Sequence, residues 1–234
     1  MIPQSLVTSM VIASVSFLLA VWLVVQLSYK KLSISLAILA VLAGWYALVY
    51  FLGKTGFWGQ SPLFAPFIAF GFVTLYFSLK FLYRLPLLQS VTESVPIHLL
   101  VGIQIFRFMG IGFLSFYALG LIPGEFALPT GWGDVLVGVT AVPVAFFLWT
   151  KQSFAKRLAI WWNYLGIADL TLAIILGVTT FPKPFQVLPA QPDNSLIASL
   201  PLVVVPLFAV PLSLLIHLLT LRILKKSHGL QPNV

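Results

Sequence analysis

Arg107 stands near the middle of an apolar run, Val101-Gly102-Ile103-Gln104-Ile105-Phe106-Arg107-Phe108-Met109-Gly110-Ile111. A charged group at a bilayer centre costs about 2.5–3.5 kcal/mol on insertion scales, so such a residue turns to the bundle interior and takes a partner. The expected partner is Asp169, near the middle of Trp161-Trp162-Asn163-Tyr164-Leu165-Gly166-Ile167-Ala168-Asp169-Leu170. Alternating helix directions bring the two to similar depth. Gln104 lies three residues before Arg107, shares its face and extends the pair. This is the chemistry of a polar binding or proton-handling site. Beside it stands the plainer reading of a buried pair that only orders a bundle.

Four further residues complete the candidate ligand- or ion-binding set of Arg107, Asp169, Gln104, Asp134, Asn163, His217 and His98. Gly131, Asp134, Gly138, Ala141 and Ala145 form a small-residue stripe of the kind that lets membrane helices approach closely. Asp134 is expected near its outer end, either as a helix N-cap or at the outer mouth of a functional site. Ser213, His217 and Thr220 share a face. By depth, His98, Asn163 and His217 make a second polar layer nearer the cytoplasm. His98 and His217, on different spans, suit axial ligation of a b-type haem, the one cofactor the residues suggest. No H-E-x-x-H, G-x-S-x-G or paired-carboxylate motif is present, so no catalytic or metal set is assigned.

The elements that must position these groups follow from composition. The 234 residues are 60% hydrophobic and only 8% charged, with a mean hydropathy of +1.07. A soluble domain carries about 25% charged residues, so a water-facing surface is hard to build. Seven apolar segments are long enough to span a bilayer, roughly 5–28, 34–53, 63–83, 96–121, 131–150, 156–179 and 197–223. Lipid admits only helices or closed barrels, and helix-length runs favour helices. The expectation is one all-α domain over 1–234, a seven-transmembrane-helix bundle. Met1 to Ser28 reads as a retained first span, because no Lys or Arg precedes it.

The net charge of +8 would point a soluble protein toward nucleic acid. Here the basic residues gather at the ends of apolar runs and report topology. One side receives Lys30, Lys31, Lys80, Arg84, Lys151, Lys156, Arg157, Arg222, Lys225 and Lys226; the other receives Lys54 and Lys183. The N-terminus is therefore expected outside and the C-terminus in the cytoplasm. Trp149, Trp161 and Trp162 are expected as anchors at the cytoplasmic interface. Pro201, Pro206 and Pro211 should kink the seventh span. The absence of cysteine excludes disulfides, thiolate metal sites and c-type haem attachment.

Ile103-Gln104-Ile105-Phe106-Arg107, Leu128-Pro129-Thr130-Gly131-Trp132-Gly133-Asp134-Val135-Leu136-Val137-Gly138 and Trp162-Asn163-Tyr164-Leu165-Gly166-Ile167-Ala168-Asp169-Leu170 resemble an uncharacterised family of small bacterial polytopic integral membrane proteins, over about the last 140 residues. The resemblance implies a bacterial inner-membrane location and transfers no catalytic role. Rhodopsin-type chemistry is excluded, because the seventh span has no interior lysine for a retinal Schiff base. Three functions follow as expectations. The first is binding or translocation of a small solute, ion or lipophile. The second is a non-enzymatic accessory subunit of a larger membrane complex. The third is electron transfer through b-type haem. The expected partners are the bilayer and other membrane subunits, with no nucleic acid.

Overall fold

The computed structural model describes residues 3–60, 64, 68, 71, 84–182 and 186–226. The described residues are helical or irregular, with no strand among them. Six of their helices are long and apolar enough to cross a membrane. They are α1 (Gln4–Tyr29), α2 (Leu32–Lys54), α4 (Ile97–Ala118), α5 (Gly124–Trp149), α6 (Ala155–Thr179) and α7 (Val205–Lys226). A short helix, α3 (Pro86–Ser94), precedes α4. The expected span at 63–83 falls almost wholly outside the described residues, as do Lys80 and Lys183.

Helix α4 carries the main irregularity. Its stretch Ile103–Gly110 winds as a 3₁₀ helix between two α-helical pieces. With three residues per turn, side chains at i and i+3 eclipse. Gln104, Arg107 and Gly110 are accordingly buried in one file, while Ile105, Phe108 and Ile111 are exposed in another. The tight winding thus sets Gln104 and Arg107 on a single line.

That line lies against α5 at close range. A Cβ on Gly138 would stand 2.5 Å from the Phe108 amide nitrogen and 3.0 Å from the Arg107 carbonyl carbon. A Cβ on Gly110 would meet the Asp134 Cβ at 2.5 Å. The small-residue stripe of α5 therefore receives the backbone of α4, which close packing of membrane helices requires.

Two expected span limits need correction. Helix α5 begins at Gly124, not near residue 131, and runs through both Pro129 and Pro143. Pro123 supplies an extended N-cap, and Glu125 in the first turn suits the positive end of the helix dipole. Proline inside a membrane helix is tolerated where neighbours make good the lost hydrogen bond. Helix α7 begins at Val205, not 197. Pro201 precedes it, and Ser195–Ala198 forms a separate 3₁₀ turn. The first turn, Val205–Ala209, is π-wide, with Pro206 at its second position, where a missing N–H disturbs nothing. The expected mid-span kink is thus a widened entry turn.

Helices α1 and α2 pack against this half through aromatic contacts. Phe17 of α1 stacks on Phe106 with ring centroids 3.5 Å apart. Trp45 and Tyr46 of α2 meet Phe208 edge to face at 5.0 and 5.3 Å. At the far end of α7, Lys226 Nζ reaches Glu93 Oε1 on α3. Both groups are exposed, so the pair contributes little to stability.

The α4–α5 approach is testable with two alanines. Gly138→Ala forces the helices apart and should cost about 1–3 kcal/mol, the usual penalty of overpacking. Gly44→Ala, where a Cβ meets nothing within 4 Å, should leave stability unchanged or raise it slightly. Thermal melts of the two variants in one detergent check the difference.

Candidate functional site

The Arg107 side chain is buried among α5, α6 and α7, with only 2% of the residue exposed. A guanidinium carries five N–H donors and no acceptor. Nε donates to Asp134 Oδ1 of α5 at 2.7 Å. Nη2 donates to Asp169 Oδ2 of α6. Nη1 faces two acceptors, the Gly166 carbonyl of α6 at 3.3 Å and His217 Nε2 of α7 at 3.2 Å. One side chain therefore ties four helices together.

Donor logic also fixes the imidazole. Arg107 can only donate, so His217 Nε2 accepts and Nδ1 carries the proton. Nδ1 then donates to Asn163 Oδ1 at 2.8 Å. Asn163 Nδ2 in turn donates to the Ala159 carbonyl at 2.7 Å. His217 is fully buried and packs against the Trp162 ring at 5.3 Å. Trp162 Nε1 donates to Thr140 Oγ1 at 2.9 Å.

Two glycines leave room for these bonds. A Cβ on Gly133 would overlap Asp169 Oδ1, so the bare glycine leaves the space this carboxylate occupies against α5. A Cβ on Gly166 would overlap the His217 ring. Neither glycine is in the sequence-derived set. The signal for both was local: Gly133 adjoins Asp134, and Gly166 lies three residues from both Asn163 and Asp169.

The structure brings Arg107, Asp169, Asp134, His217 and Asn163 into one cluster. Several expectations change. Asp134 is neither an N-cap nor at an outer mouth. It is the eleventh residue of α5, interior to the helix, because that helix starts a full two turns early. Asp134 and Asp169 consequently share a single guanidinium. Gln104 is fully buried but does not join the ion pair. Its amide pairs with Ser213: Gln104 Nε2 donates to the Ser213 carbonyl at 3.1 Å, and Ser213 Oγ donates to Gln104 Oε1 at 2.6 Å. Of the three tryptophans expected at the interface, Trp149 and Trp161 are exposed but Trp162 is buried.

His98 is half-buried and takes no part in these hydrogen bonds. The residues do not fit a bis-histidine haem. Both ring nitrogens of His217 are engaged, and a Cβ-sized group at Gly166 already overlaps its ring. A planar macrocycle has no room there.

Residues 62–225 match a family model described as a domain of unknown function (DUF8737). No curated protein and no solved structure matches the chain.

The shared guanidinium sets an order of damage. Arg107→Gln strands two carboxylates and should cost about 3–5 kcal/mol, as breaking a buried charge pair does. Asp169→Asn leaves Arg107 balanced by Asp134 and should cost about 1.5–3 kcal/mol, the worth of a hydrogen bond to a charged group. Yield of monodisperse protein and thermal melting rank the two; equal losses would contradict the shared arrangement.

Proposed function

The chain belongs to the DUF8737 family, and we propose that it is a multi-pass membrane protein whose Arg107 cluster binds and translocates a small ion, the proton being the species the geometry supports best. One observation carries this reading. A single guanidinium is shared by two carboxylates from different helices, next to a neutral imidazole. With both carboxylates ionised the cluster sums to one negative charge, and a single proton or small cation neutralises it. Intramembrane charges of this kind mark ion and proton pathways by default.

The proposed topology has a seventh span over 63–83, the N-terminus outside and the C-terminus in the cytoplasm. Its support is the basic residues, ten of which fall on one side under that arrangement and two on the other. A bacterial inner-membrane location rests on the sequence resemblance.

A second reading has its own observation. Four of the five guanidinium N–H groups have acceptors within the cluster. A charge so fully engaged also suits a purely structural tie within a scaffold or accessory subunit.

Flux separates the two. Purified protein in liposomes, loaded with a pH-sensitive dye and driven by a potassium diffusion potential, should take up protons. Asp169→Asn, which keeps one counter-charge on Arg107 and so keeps its fold, should lose most of that uptake. Equal uptake by both proteins, or none above empty liposomes, favours the structural tie.

A further inference from the structure

Thr130 lies one helical turn before Asp134 on α5, about 6 Å nearer the Gly124 end. It is 4% exposed, and its Oγ1 has no hydrogen-bond partner among the described residues. A buried hydroxyl left without a partner keeps the full cost of its desolvation, so it calls for an explanation. Even the usual donation to the carbonyl four residues back, here Phe126, is not made.

Thr130 and Asp134 line the same cavity, of about 30 Å³. Its other walls are apolar, Phe113, Phe126, Gly177 and Ile197 among them. A cavity needs about 10–15 Å³ on this measure, and two or more polar partners, to hold a water molecule. Volume and partners both suffice for one or two. Asp134 has an oxygen for the purpose, because its bond to Arg107 uses Oδ1. A second cavity of about 20 Å³ shares walls with the first and also touches Arg107 and Ser213. Asp134, Phe113, Val205 and Val210 line both.

We propose that Thr130 and Asp134 form a water-binding site that admits protons to the Arg107 cluster from the Gly124 end of α5. Its role in proton entry rests on the proton-binding reading above. The water accepts from Thr130 Oγ1 and donates to the Asp134 carboxylate. A proton arriving there bonds to the water oxygen while the water's O–H toward Asp134 breaks and an O–H forms on the carboxylate, so the water is regenerated. The adjoining cavity continues the path toward Ser213. Thr130 is a positioning residue on this account, acting through the water it holds. The apolar walls leave that water no other strong partner, so the route depends on the hydroxyl.

An experimental structure in lipid, at a resolution that shows ordered water, tests the site directly. Density within hydrogen-bond distance of Thr130 Oγ1 and Asp134 is expected in the wild type and in Thr130→Ser, and none in Thr130→Val. No density in the wild type, with the hydroxyl turned to the Phe126 carbonyl, would overturn it. Thermal melting gives a second readout. A dry, orphaned hydroxyl makes the near-isosteric Thr130→Val stabilising, and that result also overturns the site. Proton uptake in liposomes then tests the route. Thr130→Val should lower uptake several-fold and Thr130→Ser should restore it. Unchanged uptake in Thr130→Val overturns the route while the wild type still conducts. A wild type that moves no protons overturns the proton-binding reading and the route together, and the density alone then decides the water site.

Discussion

A guanidinium taken out of water must find its counter-charge and its acceptors inside the protein, and Arg107 finds them on three other helices. Asp134 approaches from α5, Asp169 and the Gly166 carbonyl from α6, and His217 from α7. Each bond has a direction, so together they fix the rotation of four helices about their own axes. Apolar packing alone specifies this poorly, because one oily face resembles another and lipid is as apolar as the core. The charged cluster thus supplies the register of the bundle. The aromatic contacts of α1 and α2 fill volume around it.

The backbone is shaped to the same end. An ordinary α-helix would carry Gln104, Arg107 and Gly110 progressively around its surface, since three residues fall short of a full turn. The 3₁₀ winding of Ile103–Gly110 brings them into line. The glycines at 133, 138 and 166 then remove the side chains that would hold the neighbours away. The observed burial follows from this combination. Arg107 is covered on every side, while Phe108, the next residue, is 48% exposed.

How much of this was legible in the sequence depends on which coordinate a residue had to reveal. Depth was readable. Arg107 and Asp169 sit at matching positions of the fourth and sixth apolar runs, and the structure places their charged groups in contact. Helix class and most span limits were readable too, from length and hydropathy. Rotation was not. The depth argument grouped His98 with His217 and Asn163, yet His98 takes no part in their hydrogen bonds. It placed Gln104 beside the ion pair correctly in face, but could not see that Ser213 would take both ends of its amide. Asp134 was misplaced for a different reason. The fifth span was expected to begin near residue 131, which carried the carboxylate to its outer end, whereas the helix begins at Gly124 and runs on through Pro129. A proline six residues into a helix does not end it when neighbouring helices restore the lost bond.

The three-residue winding around Arg107 has an evolutionary corollary. Adding or deleting one residue between Ile103 and Gly110 would swing everything beyond it by about a third of a turn. The guanidinium would then point where Phe108 or Phe106 now points, into apolar surroundings with no carboxylate. Only a change of three residues preserves the facing, and it lengthens the segment by about 6 Å, which would slide Arg107 past both of its acids. This stretch is therefore closed to length variation in either direction, whereas the polar turn between α5 and α6 has no such constraint.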